Sequence, residues 1–183
     1  WDWLTPFSLL TGAALVVGYA MLGAAWLILK TEGPVRDHAR SVSWFLGPAT
    51  IALIGLVSVI TPFLEPLYLS RWFSMPNIFA TMWVPILVAG AAWLYLRGLR
   101  EKRDAWPFLA GLAVFILSFV GLGISFYPYM VPPSLTIQDV AAPDESLWFL
   151  LVGALVLVPL ILAYTAYAYW VFRGKIDPAH GYH

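Results

Sequence analysis

The stretch LWFLLVGALVLVPLILAYTAYAYWVF, from Leu147 to Phe172, decides the fold class. It contains no Asp, Glu, Lys, Arg or His. At about 1.5 Å per residue, a helix of that length outreaches the roughly 30 Å hydrocarbon core of a bilayer. Four more stretches read the same way: Pro6 to Leu29, Val42 to Leu64, Ile78 to Leu96 and Phe108 to Phe126. All are continuously apolar, whereas strands of a membrane barrel alternate in polarity every residue. The expectation is an all-α membrane protein with five transmembrane helices, spans 6–29, 42–64, 78–96, 108–126 and 147–172, in one domain over 1–183.

Composition agrees. Of 183 residues, 61% are hydrophobic and 11% are charged. Soluble domains carry about 25% charged residues, so this chain could not clothe a globule in water. The formal net charge is zero, which gives no electrostatic footprint for nucleic acid. There is no cysteine, and hence no disulfide, thiolate metal site or iron–sulfur ligand. Asp2 stands where a cleavable signal carries basic residues, so none is expected.

The few charges set orientation. Lys30, Arg36 and Arg40 lie in the first linker, Arg97, Arg100, Lys102 and Arg103 in the third, and Arg173 and Lys175 in the tail. The alternate linkers hold Arg71 alone, with Asp139, Asp144 and Glu145 in the fourth. Short basic loops stay in the cytoplasm. The N-terminus is therefore expected outside and the C-terminus inside. Trp1, Trp3, Trp72, Trp83 and Trp148 fall near the outer ends; Trp26, Trp44, Trp93, Trp106 and Trp170 fall near the inner ends, as interfacial belts do.

Chemistry is sparse. The spans hold no ionisable carboxylate, histidine or base for ion coupling or a proton relay. His38 lies in an inner loop, and His180 and His183 with Asp177 lie in the tail, where solvation is the expected state. Met21 and Met82 read as packing residues. Pro48, Pro62, Pro85 and Pro159 read as kinks absorbed by neighbouring helices, and Ala14 with Gly18 as a close-packing pair. Tyr164, Tyr167 and Trp170 would make an aromatic wall for an isoprenoid quinone, or else an interfacial belt. The fourth linker, rich in Pro128, Pro132, Pro133 and Pro143, is expected to be ordered and to touch a partner through Tyr127, Pro128, Pro132 and Asp139, with Asp139 capping a turn.

Four segments carry a resemblance. FYPYMVPPSLTIQD (Phe126 to Asp139) and VPLILAYTAYAYW (Val158 to Trp170) resemble subunit II of cytochrome bd-type quinol oxidases. LTPFSLLTG (Leu4 to Gly12) and KTEG (Lys30 to Gly33) match the middle of that subunit in the same order. Gln138 stands where the family often has Trp. The family's subunit is about twice as long, and its N-terminal half has no counterpart here. The resemblance implies the C-terminal half: a four-helix bundle plus one peripheral helix. It further implies a bacterial inner-membrane location and a partner subunit I that carries haem b and haem d. The remaining half of subunit II would be a second partner, with lipid and a structural quinone around them. This chain would bind no metal or haem and carry no catalytic residue. Half of a multi-pass transporter and a membrane assembly scaffold are the alternatives.

Overall fold

A computed structural model describes residues 4–64, 66–75 and 77–175. They form α1 (Pro6–Lys30), α2 (Gly33–Leu64), α3 (Pro66–Phe73), α4 (Asn77–Thr81), α5 (Trp83–Arg100) and α6 (Ala105–Phe126). A two-stranded antiparallel ribbon of β1 (Tyr129–Val131) and β2 (Leu135–Thr136) follows, then α7 (Ile137–Val140) and α8 (Asp144–Val171). Residues 4–125 with Lys175 make one compact unit, and 126–174 a second. Trp1, Trp3, Asp177, His180 and His183 lie outside the described residues.

Helix α1 starts where its sequence says it should. Thr5 and Ser8 cap each other's backbone N–H groups at 3.1 and 2.9 Å, and Pro6 takes the first helical position, where no amide donor is needed. Its buried residues Gly18, Met21, Ala25 and Ile28 fall three or four apart on one face. The matching face of α2 is Ala39, Ser43, Gly47 and Thr50. These are small side chains, which let helices approach closely where lipid supplies no hydrophobic drive. Met21, Ala25, Ile28, Ala39, Tyr95, Leu99 and Ala110 form the core of the first unit.

Four helices are long and apolar enough to span: α1, α2, α6 and α8. The third expected span, 78–96, is divided between α4 and α5, and the last turn of α5 carries Arg97 and Arg100. Pro85 therefore sits in the first turn of α5 rather than in mid-helix, so its missing donor breaks no helical bond there. Pro48, Pro62 and Pro159 do lie within helices. Thr50 and Thr61 return their hydroxyls to the Leu46 and Val57 carbonyls at 2.8 and 2.7 Å beside two of these breaks.

Helix α2 begins nine residues before the apolar stretch, at Gly33, which has a φ of +64°. Only Thr31 and Glu32 separate it from α1, so Arg36, Asp37, His38 and Arg40 are helical rather than part of a loop. In the second unit, no residue of α8 is buried.

Candidate functional site

The basic end of the first unit is built from three connections. Helix α5 closes in a Schellman turn: Arg103 N–H donates to the Gly98 carbonyl at 3.0 Å and Lys102 N–H to the Leu99 carbonyl at 3.3 Å. Lys102 takes the left-handed position of that motif, with φ of 55°. The turn brings Asp104 to Arg40, 2.7 Å away on α2. Arg40 also donates to the Leu99 carbonyl at 3.4 Å. Lys175 Nζ joins the same Asp104 carboxylate and lies 3.8 Å from Glu32. Arg97 and Arg103 share Glu101, at 2.6 and 2.9 Å. The hydrogen bond from Arg97, and the charges of Arg97 and Arg103, hold the Glu101 carboxyl below its ordinary range.

Tryptophan and cation alternate on this end. Arg97 stacks over Trp93 at 5.0 Å and Trp106 at 5.9 Å, and Arg103 over Trp106 at 4.5 Å. Lys30 lies over Trp26 at 5.2 Å. In the second unit Arg173 lies over Trp170 at 4.8 Å. An amphipathic ring beneath a cation suits the headgroup layer, where one side is apolar and the other wet. Four of the five tryptophans expected at inner ends thus carry a cation.

Towards the other end of the first unit, Trp72 Nε1 donates to Ser125 at 2.9 Å, joining α3 to α6. In the second unit the loop candidates Tyr127, Pro128, Pro132 and Asp139 are ordered by the β-ribbon. Ile137 N–H donates to the Pro128 carbonyl at 2.8 Å. Thr136, not Asp139, is the N-cap of α7; its hydroxyl accepts from Asp139 N–H at 3.2 Å. Asp139 reaches back to Thr136 N–H and hydroxyl at 3.0 and 2.5 Å. Those bonds, first from the hydroxyl and then from the backbone, lower the Asp139 carboxyl from its ordinary value. The pattern Thr136-x-x-Asp139 is a capping-box signal visible in sequence. Asp139 and Tyr127 are exposed, and Pro128 and Pro132 are half-buried.

On α8, Tyr167 and Trp170 stand 6.1 Å apart with rings tilted by 33°. Tyr164 is 73% exposed, and all three candidate wall residues are open.

Met21 is 1% exposed and packs its methyl over Gly111, while Met82 lies exposed at the start of α5. Among the described residues no cluster of His, Cys, Asp or Glu could hold a metal ion.

A sequence profile of cytochrome bd terminal oxidase subunit II matches residues 1–172. The chain belongs to that family. The probable cytochrome oxidase subunit 2 of Haemophilus influenzae is 27% identical over 95% of this chain and 53% of that protein. The cytochrome bd-I ubiquinol oxidase subunit 2 of Escherichia coli K12 is 25% identical over 94% of this chain and 53% of its own length. The cytochrome bd ubiquinol oxidase subunit 2 of Bacillus subtilis is 22% identical over 96% and 52%. The chain thus spans about half the length of these relatives. With its long apolar helices, this cytochrome bd subunit II chain is a multi-pass protein of the bacterial inner membrane.

Proposed function

We propose that this chain is a haem-free, non-catalytic transmembrane part of a cytochrome bd-type quinol oxidase, which oxidises quinol and reduces oxygen to water. It packs against the haem-bearing subunit I and against the rest of subunit II. The observation that carries this reading is the family match across residues 1–172, in a chain whose apolar stretches hold no histidine, cysteine or carboxylate. Asp37, His38, Asp144 and Glu145 lie in α2 and α8 before those stretches begin. Iron needs a protein ligand, and proton passage through hydrocarbon needs ionisable side chains. The spans offer aliphatic and aromatic surface with small residues, which serves packing. Five passes, with the basic end cytoplasmic, complete the reading. Tyr164, Tyr167 and Trp170 on α8 are the candidates for contact with a structural quinone, and Tyr127, Pro128, Pro132 and Asp139 for contact with subunit I.

The visible absorption spectrum tests it. The natively purified complex is expected to show b- and d-type haem bands. The isolated chain in detergent, supplied with haem, is expected to show no stoichiometric band and no quinol oxidation. A complex without haem bands would favour half of a transporter. Tight one-to-one haem binding by the isolated chain, abolished by replacing Met21 or Met82, would overturn the non-catalytic assignment.

A further inference from the structure

The basic end contains an open cleft of about 610 Å³, lined by Arg36, Asp37, Arg40, Ser41, Trp44, Lys102 and Asp104. Its charges do not balance. Asp104 is shared by Arg36, Arg40 and Lys175, with Arg40 in closest register at 2.7 Å among the first two. Arg36 is only loosely engaged, 3.6 Å from Asp37 and 3.9 Å from Asp104. Lys102 lines the cleft and has no ion pair among the described residues. Arg36 thus faces the cleft in two long ion pairs, and Lys102 faces it with none among the described residues.

Lys102 is also in an unusual place. The left-handed position of a Schellman turn is usually glycine, because a β-carbon is crowded there. A lysine there offsets part of that strain through the favourable charge of a cation at a helix C-terminus, and it carries its ammonium group to the cleft. Directly along α2 from Arg40, Trp44 and Phe45 are 41% and 76% exposed, at the point where the apolar stretch begins. Cations at the rim, an indole beside them and bare apolar helix beyond match the three layers of a phospholipid.

We infer that this cleft binds the phosphodiester headgroup of an anionic phospholipid, with Arg36 and Lys102 as its cationic contacts and the acyl chains lying along Trp44 and Phe45. The guanidinium of Arg36 offers paired donors to phosphate oxygens, and Lys102 a point charge. Arg40 is a positioning residue, held by Asp104 and the Leu99 carbonyl. The inference needs only that the chain lies in a bilayer, and it stands apart from any role in quinol oxidation.

Native mass spectrometry of the purified, delipidated complex tests it, with phosphatidylglycerol, phosphatidylethanolamine and soluble glycerophosphoglycerol as probes. Phosphatidylglycerol is expected to bind more tightly than the zwitterionic lipid, and the soluble headgroup to compete poorly. At about fivefold per basic residue near an anionic surface, Lys102→Gly should weaken phosphatidylglycerol about fivefold, and Arg36→Gln with Lys102→Gly about thirtyfold. Lys102→Gly relieves the left-handed strain, so thermal stability should hold or rise while binding falls. Equal affinity for the two lipids overturns the inference. So does unchanged affinity in a folded Lys102→Gly complex. Competition by glycerophosphoglycerol as strong as by the lipid overturns the lipid assignment.

Discussion

The Tyr95 ring of α5 lies against the backbone of Gly47 in α2, so close that a β-carbon at position 47 would collide with the ring edge. Tyr95 is 1% exposed and is the largest fully buried side chain of the first unit. Gly47 lies one residue before Pro48, on the α2 face that also carries Ser43 and Thr50. The contact fixes how α2 and α5 cross. A second close approach, where a β-carbon on Gly98 would stand 2.6 Å from Trp106 Cβ, fixes the start of α6 against α5.

Gly47→Ala should therefore destabilise the chain, by about 1–3 kcal/mol, the usual cost of overpacking a filled interior. Tyr95→Phe should cost less, under about 1.5 kcal/mol, since it keeps the ring packing and removes only a buried hydroxyl whose polar neighbour is the Ser43 side chain. Thermal unfolding of the purified complex by tryptophan fluorescence measures both. A Gly47→Ala midpoint equal to the parent's would show that the two helices have room to part.

Glu101 makes stability depend on pH in a definite direction. Arg97, by hydrogen bond and charge, and then Arg103, lower its carboxyl in the folded state. A carboxylate with a depressed folded pKa contributes stability above its unfolded value, about 4.3, and loses it as pH falls through the folded value. Glu101→Gln should lower the midpoint at pH 6, and the gap to the parent should close on acidification towards pH 3. Glu101 lies at the surface, paired with exposed arginines, so the effect is small and should shrink in high salt. A gap that widens on acidification would contradict this account.

Orientation is tested by reporter fusions. The cations stacked over Trp26, Trp93, Trp106 and Trp170 belong to the linkers and tail that hold nine of the ten basic residues. Fusions after Arg103 and after Gly174 should read as cytoplasmic, and one after Asp139 as external. An external readout at Arg103 would invert the topology and remove the five-pass arrangement.

How much of this was legible beforehand follows from range. The apolar stretches from Pro6, Phe108 and Leu147 map onto α1, α6 and α8 with small shifts, because continuous hydropathy is a local property. The start of α2 was not legible: Arg36, Asp37, His38 and Arg40 end a hydropathy window, yet a helix continues readily through a headgroup layer. The break at Met82 was hidden because Ile78, Phe79 and Val84 are as apolar as a continuous helix would be. Strands of three and two residues leave too little alternation to see. The cleft could not be read at all. Arg40 and Asp104 are 64 positions apart, and only the packing of α2 beside the end of α5 joins them. Counted along the chain, those same charges report topology alone.

The segment from Tyr127 to Val140 is expected to hold its shape and to contact subunit I in the assembled oxidase. Its order comes from the ribbon, from Ile137 bonding the Pro128 carbonyl and from the Thr136–Asp139 box. Each removes freedom from exposed backbone, so docking costs less entropy than it would for an unstructured loop. Tyr127 then offers an exposed ring, a side chain favoured at interface centres. Asp139→Ala should unfasten α7 without touching the membrane helices. It should speed proteolytic cutting between Pro132 and Ala141 and loosen subunit I, while far-ultraviolet helicity stays unchanged. Thr136→Ala should do the same, because the box is reciprocal. A cysteine at Tyr127 should cross-link to subunit I in membranes. Failure to cross-link at Tyr127, together with subunit retention in Asp139→Ala equal to the parent's, would place this segment in solvent and leave the contact to other surfaces.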